Sequence, residues 1–220
     1  MKRQYLGDSK DSFKWDYLHF LVEALGYSHL NIAWMMTPDD YGTDGGTPPE
    51  IFPARQEVLR LCNLLRSVRD PALVSGLPAT TGARYAVRFH KPDEHFSNGK
   101  RACYFSGIDS DPNQVLFLDP DNGFEPERSF SEKHVLYSDV DGIIKTISPA
   151  SVVTVFQHFR RTKFPDDFAR IRERLQSGCS TAIYWRSLMF VSISSSPATI
   201  ERVCEANREY AKHRPAKVIA

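Results

Sequence analysis

The 220-residue chain has no long hydrophobic run. No apolar stretch approaches the ~18 residues of a membrane-spanning helix, and the first twelve residues lack the apolar segment of a secretory signal. Its four cysteines are widely scattered, with no closely spaced pair, at Cys62, Cys103, Cys179 and Cys204. This spacing argues against a zinc site and a disulfide framework. We therefore expect a cytoplasmic protein without a membrane partner.

The chain also lacks an excess of charge. Lys and Arg number 28 and Asp and Glu number 27, which gives a formal net charge of +1. With 41% hydrophobic and 25% charged residues, the composition is that of an ordinary globular protein. A nucleic-acid partner is compatible with this balance if the basic residues are segregated on one face. The length predicts a single domain over residues 1–220.

Several catalytic signatures are absent. Neither GxGxxG nor GxxxxGK[ST] occurs, so a nucleotide cofactor has little support, and no GxSxG marks a serine nucleophile. The seven histidines do not follow a metal-binding spacing. We expect neither a cofactor nor a bound metal, and the sequence implies no protein partner.

Short apolar runs alternate with helical patterns along the chain. The runs predict strands at 31–37, 115–118 and 151–156 and a hairpin over 181–185 and 188–194, and the periodicity predicts helices at 13–25, 55–69, 166–176 and 197–213. Because the first three strands are almost continuously apolar, they favour a parallel sheet covered on both faces. The prediction is an α/β fold with three layers, a mostly parallel sheet flanked by helices and a C-terminal antiparallel hairpin. Residues 78–114, rich in Gly, Pro, Asn, Asp and His, are interpreted as an insertion or a lid.

Ligands of open parallel sheets bind at the carboxyl ends of the strands. The segment that follows the second predicted strand reads DPDNGF, at residues 119–124. Here Asp119 is a candidate catalytic carboxylate, Asp121 and Asn122 could bind the polar edge of a base, and Phe124 could stack on it. An ordinary turn is the alternative, because Asp, Pro, Asn and Gly are common turn residues.

The segment after the first predicted strand reads TPDDYGTDGG, at residues 37–46. Its carboxylates, Asp39, Asp40 and Asp44, could activate water or hold Mg²⁺, and Tyr41 offers a second ring for a base. The alternative is a flexible, solvated loop.

Basic residues follow the third predicted strand. His158, Arg160, Arg161 and Lys163 are candidates for nucleic-acid binding, together with Arg101 and Lys14. The alternative is that these residues are simply charged positions near the start of a helix. Lys14 also lies three residues after Asp11, which lies three after Asp8, so the three side chains share one face if a helix begins there. They could line the pocket, or simply cap the helix.

Three motifs carry a resemblance. The start GDxxDxxK, the run FLDPDNG and the run VFQHFRR resemble an uncharacterised bacterial family. The opening GDSKDSFKWDYLHFL is also similar to the start of Rossmann-like methyltransferases of the J-type rRNA adenine group. In those enzymes a polar helix precedes the first strand, and a DPP-type loop after the fourth strand handles a base amine. Asp119 and Pro120 occupy the comparable place.

The chain departs from that group at the cofactor loop. The resemblance implies a glycine-rich loop after the first strand, but Pro38 lacks an N–H and the loop is acidic; Asp121 also replaces the second proline of DPP. A pocket of carboxylates, an asparagine and aromatic rings without a cofactor is similar in arrangement to the uracil-DNA-glycosylase superfamily, although GQDPY and HPSPLS do not occur.

These observations lead to one main hypothesis and three rivals. The main hypothesis is a DNA glycosylase that hydrolyses the N-glycosidic bond of a flipped base, with a modified base in anti-phage defence as one candidate substrate. The rivals are an S-adenosylmethionine-dependent methyltransferase directed at a base amine, a Mg²⁺-dependent nuclease and a binding module without catalysis.

Overall fold

The computed structural model describes residues 2–39 and 46–219. Within these residues the helices are α1 (Ser9–Leu25), α2 (Gln56–Val68), α3 (Leu77–Thr81), α4 (Arg101–Phe105), α5 (Tyr137–Thr146), α6 (Phe164–Arg174) and α7 (Pro197–His213). The strands are β1 (His29–Ala33), β2 (Ala86–His90), β3 (Gln114–Leu118), β4 (Gly123–Phe124), β5 (His134–Val135), β6 (Val152–His158), β7 (Cys179–Trp185), β8 (Leu188–Ser194) and β9 (Lys217–Ile219).

The described strands form one main sheet and one small ribbon. The main sheet has the order β2-β1-β3-β6-β8-β7-β9, and β4 pairs with β5. Strands β2, β1, β3 and β6 are parallel, whereas β8 is antiparallel to both β6 and β7, and β9 is antiparallel to β7. The fold is therefore α/β with a mostly parallel sheet, and the prediction of a C-terminal antiparallel hairpin is confirmed.

Helices cover the sheet on both faces. Along β3, Val115 and Phe117 pack with α1, α2 and α7, whereas Leu116 and Leu118 pack with α5 and α6 on the other face. All four side chains are buried. Because both faces of β3 are covered, residues 115–118 are all apolar, which explains the continuous apolar run in the sequence. The three predicted layers are therefore present.

Helix α1 is buried around most of its circumference. Its N-cap is Asp8, whose carboxylate accepts hydrogen bonds from the backbone N–H groups of Lys10 and Asp11, and Gly26 ends it in the left-handed conformation. Buried positions include charged residues as well as apolar ones, among them Lys14 and Asp16. Since buried charges require partners, α1 must be tied to several other elements.

The segment 78–114, interpreted from the sequence as an insertion or lid, contributes an edge strand to the main sheet. It contains β2, which pairs in parallel with β1, as well as α4. Its alternating, partly exposed pattern at the sheet edge is not typical of a buried strand.

Among the described residues, no helix is both long and apolar enough to cross a membrane.

Candidate functional site

Three loops meet at the carboxyl ends of β1, β3 and β6. The Thr37 hydroxyl, beyond β1, donates a hydrogen bond to the Asp121 carboxylate at 2.5 Å. The backbone N–H of His158, at the end of β6, donates to the carbonyl of Asn122 at 3.2 Å. The loop after β3 is therefore bonded to the segments on both sides of it.

A buried ion pair joins α1 to this edge. The Lys14 ammonium lies 2.9 Å from the Asp11 carboxylate and 3.0 Å from that of Asp119. All three side chains are nearly inaccessible to solvent. Aromatic rings surround the ammonium at 5.2–5.9 Å from their centroids: Trp15, Phe117 and Phe156. The pair therefore lies in a region of low dielectric, where its charges interact strongly.

Burial and neighbouring charges shift the pKa values of this cluster. Burial alone would lower the pKa of Lys14, but Asp11 and Asp119 raise it above its ordinary value. Burial raises the pKa of Asp119 although Lys14 opposes the shift. Burial and the charge of Asp11 raise the pKa of Asp8 to about 6. Lys14 is therefore a fixed positive charge near neutral pH.

Two adjoining cavities open beside the ion pair. The inner cavity has a volume of about 50 Å³, and its wall includes Asp8, Asp11, Lys14, Asp119 and Phe156. The outer cleft has a volume of about 390 Å³, and its wall includes Asn122, Lys133, His134, Phe159 and Arg160. Both walls include Lys2, Tyr5, Lys10, Asp121 and His158. The cavities thus form one site with a narrow carboxylate-lined end and a wider, mainly basic entrance.

Lys10 and His158 face each other where the cavities adjoin. The Lys10 ammonium lies 3.4 Å from Nε2 of His158. An ammonium group only donates, so a hydrogen bond here would run from Lys10 to Nε2 of a neutral imidazole. The site therefore places a hydrogen-bond donor and an imidazole where the two cavities adjoin.

The structure brings together part of the predicted site. Lys14 and Asp119 line the inner cavity, Asn122 and Arg160 line the outer cleft, and Asp121 and His158 line both. Asp39 lines neither cavity, is exposed, and accepts a hydrogen bond from the backbone of Gln4 at 3.4 Å. Asp40, Tyr41 and Asp44 lie outside the described residues.

Phe124 cannot stack on a base. Its side chain is fully buried, and its ring stacks on Tyr137 with the centroids 5.2 Å apart. Its backbone N–H donates to the amide oxygen of Gln157. Phe124 therefore fixes the loop after β3 to the core.

Several predicted nucleic-acid contacts are structural instead. Lys14 is buried in its ion pair, and Arg101 is buried against Asp139 at 2.5 Å. Arg160 reaches the outer cleft, but its guanidinium binds Asp167 at 2.9 Å. Arg161 and Lys163 are exposed beyond the cleft and line neither cavity.

Several lining residues were not predicted from the sequence: Lys2, Tyr5, Lys10, Lys133, His134 and Phe156. A signal existed for Tyr5 and Lys10, since both lie in the polar segment around the GDxxDxxK start. Lys133 and His134 reach the cleft because β5 pairs with β4, directly after the DPDN loop. No local sequence pattern predicts that pairing.

Among residues 2–39 and 46–219, no group of three or more His, Cys, Asp and Glu side chains is arranged to hold a metal ion. Of the acidic side chains of the inner cavity, Asp11 and Asp119 pair with Lys14, Asp8 caps α1 and Asp121 accepts a hydrogen bond from Thr37.

Similarity to known proteins is found among solved structures. No family model matches the chain, and no curated protein matches it. Among solved structures, the chain is similar to the crystal structure of human methyltransferase-like protein 13 in complex with SAH. The sequences are 11% identical, the match covers 92% of this chain and 91% of that chain, and the TM-score is 0.42.

The prediction of a DNA glycosylase is wrong. Phe124, one of its two candidate stacking rings, is inside the core, and the Asp119 carboxylate is held by Lys14; the other ring, Tyr41, lies outside the described residues. Hydrolysis of a base is therefore not proposed as the activity.

Proposed function

We propose that the chain is an S-adenosylmethionine-dependent methyltransferase that acts on an amino group of a nucleic-acid base. One observation carries the proposal: the Lys14–Asp119 ion pair joins two motifs that lie 105 positions apart in the chain. These are the polar helix before the first strand and the loop beginning Asp119-Pro120, the two features that resemble the J-type methyltransferases. Their contact builds the wall of a cavity.

The inner cavity suits an amino group. Its volume of about 50 Å³ is far too small for a whole base and corresponds to one or two water molecules at ~30 Å³ each. The Asp119 carboxylate and the Pro120 carbonyl are hydrogen-bond acceptors, which an exocyclic amine can satisfy as a donor. Lys14 positions Asp119 and offsets part of its charge. A base at the mouth of the outer cleft could thus direct its amine inward.

The residues of the cleft fit the methyl donor by charge and size. S-adenosylmethionine has an ammonium, a sulfonium and a carboxylate, and the shared wall offers both a carboxylate, Asp121, and an ammonium, Lys10. The rings of Tyr5 and His158 offer apolar surface for a purine. The volume of about 390 Å³ is within the range of roughly 300–1,000 Å³ for small-molecule sites. When bound, the donor supplies an electrophilic methyl group.

This fit does not depend on a glycine-rich loop. After β1 the chain continues through Trp34, Met35 and Met36, which are buried, and no glycine occurs in the described residues 29–39. The donor would therefore be held by the side chains that line both cavities. This proposal replaces the expectation that the site needs no cofactor.

Nucleic acid is proposed as the partner because of the charge of the entrance. The chain as a whole is nearly neutral, yet among the described residues Lys2, Lys10 and Lys133 line the outer cleft beside one carboxylate, Asp121. Segregated positive charge attracts a phosphate backbone. DNA, the partner expected from the sequence, and RNA both satisfy this argument.

The proposal is tested by the transfer of an isotope-labelled methyl group. Protein is incubated with labelled S-adenosylmethionine and single-stranded DNA or RNA containing all four bases, and the nucleosides are then separated. We expect the label in one base with an exocyclic amine, and a loss of about 10²-fold in Asp119→Asn. The matched control is Asp109→Asn, since Asp109 pairs with Arg88 at the surface, away from both cavities. Absence of label from both polymers would contradict the proposal.

A further inference from the structure

Phe159 is an exposed aromatic residue on the wall of the outer cleft. Its side chain is 47% exposed, which is unusual for a phenylalanine. It is nevertheless held in place: its ring contacts that of Phe164 edge-on at 5.7 Å, and its backbone N–H donates to the carbonyl of Ser187 at 2.9 Å. The ring is therefore a fixed apolar surface at the entrance of the site.

Positive charge follows this ring directly in the chain. Residues 159–163, here called the lip, read FRRTK. The guanidinium of Arg160 forms an ion pair with Asp167, whereas Arg161 and Lys163 are exposed. A fixed aromatic ring beside exposed cations is the arrangement with which proteins bind single-stranded nucleic acids, because the ring stacks on a base and the cations contact phosphates.

The size of the site favours an unpaired nucleic-acid strand. The outer cleft, at about 390 Å³, has the size of one small molecule, which is the methyl donor in the proposed function, and the inner cavity, at about 50 Å³, accepts only a small group, so a target base can enter only by its edge. A base inside a duplex cannot direct its amine into such a site without leaving the stack. A base that is already unpaired avoids this unstacking cost.

We infer that the lip binds a single-stranded nucleic acid, with a base that neighbours the target nucleotide stacked on Phe159 and its phosphates at Arg161 and Lys163. This inference rests on the proposed function, since it places the strand on the same cleft. Phe159 acts here as a positioning residue. It orients the strand and does not take part in the chemistry.

The experiment measures strand binding without the methyl donor. Fluorescence anisotropy compares labelled single-stranded oligonucleotides, DNA and RNA, with a duplex of the same sequence. The variant is Phe159→Ala, and the matched control is Phe130→Ala, because Phe130 is 48% exposed and lines neither cavity. We expect tighter binding of single strands than of duplex, a loss of about 5- to 100-fold in Phe159→Ala, and a change below about twofold in the control.

A second variant tests the phosphate contacts. In Arg161→Gln/Lys163→Gln, the slope of log affinity against log salt should become shallower by about 1.4, since two contacts to a single strand are removed. Equal losses in Phe159→Ala and Phe130→Ala, or duplex binding as tight as single-strand binding, would overturn the inference. Both outcomes are read without catalysis, so they are distinguishable from a failure of methyl transfer.

Discussion

Helix α1 buries charge in two different surroundings. On one face, Lys14 pairs with Asp11 and Asp119 beside a cavity. Two residues further on, Asp16 is fully buried and accepts hydrogen bonds from the Tyr210 hydroxyl at 2.8 Å and from Nε of Arg214 at 3.0 Å. Asp16 lines neither cavity of the proposed site.

This difference teaches that burial of a charge does not by itself indicate function. Asp16 also accepts the backbone N–H of Arg55, so its carboxylate joins α1, the start of α2 and the end of α7. All of these partners belong to the fold. The Lys14–Asp119 pair joins α1 to β3 as well, but one side of it faces open space. Variants of Asp16 should therefore change mainly stability, and variants of Asp119 mainly activity.

The largest effect on stability is expected for Asp16→Ala. The substitution leaves two guanidinium groups and a buried tyrosine hydroxyl without their shared acceptor. Because both arginine side chains are about a quarter exposed and can regain water, we expect a loss of about 2–4 kcal/mol in the free energy of unfolding. Urea denaturation measures it. A loss below ~1 kcal/mol would mean that the cluster is not structural.

Asp119→Asn should show the opposite behaviour. The amide has the shape of the carboxylate and keeps an oxygen that can accept from Lys14, so we expect a change in unfolding free energy below about 1 kcal/mol. Methyl transfer should fall by about 10²-fold, because the amine loses its charged acceptor. Stability and turnover are measured on the same preparation. A large loss of stability at unchanged turnover would mean that Asp119, like Asp16, has a structural role and no role in activity.

Lys14→Met leaves Asp11 and Asp119 facing each other without a cation. We expect a loss of about 1–3 kcal/mol at neutral pH, limited because the adjacent cavity admits water. Without the cation that opposes it, burial would raise the pKa of Asp119 further in the folded variant, so the folded state would bind more protons than the unfolded state. The deficit should therefore shrink as the pH falls from 8 to 5. A deficit independent of pH would contradict this assignment.

The smallest effect is expected for Asp8→Asn. The pKa of Asp8 is raised by burial and by Asp11 to about 6 from the ordinary 3.8, so the folded state retains its proton longer than the unfolded state. Asp8 thus removes stability as the pH rises from about 4 to 6. Asparagine can still cap α1. We expect Asp8→Asn to be more stable by on the order of 1 kcal/mol at pH 7, with no gain below pH 4. If Asp8→Asn and the unsubstituted protein were equally stable at both pH values, the raised pKa of Asp8 would be contradicted.

The buried elements could be predicted from the sequence because burial determines their pattern. The last helix, Pro197–His213, follows from its cap and periodicity, and β3, β6, β7 and β8 follow from apolar runs. Helix α5 was missed although Tyr137, Val140 and Ile144 recur at helical spacing, because Asp139, Asp141 and Gly142 interrupt the apolar pattern. Strand β2 was missed because it is a half-exposed edge strand.

The site was only partly predictable because its decisive contacts are distant in sequence. The sequence placed Asp119 at a strand end and Lys14 on the face of Asp8 and Asp11. It could not show that Lys14 crosses to Asp119, because that depends on how α1 packs on the sheet. Phe124 was misassigned for the same reason, since its partner Tyr137 begins a helix that the sequence analysis did not include.

The central claim is that the cleft beside Lys14 and Asp119 holds a methyl donor. Calorimetric titration of the folded protein with S-adenosylmethionine tests it most directly. We predict saturable binding at one site, weakened at least tenfold in Asp121→Ala and in Lys10→Ala and unchanged in Asp109→Asn. No binding at millimolar donor, or equal affinity in all four proteins, would contradict the account.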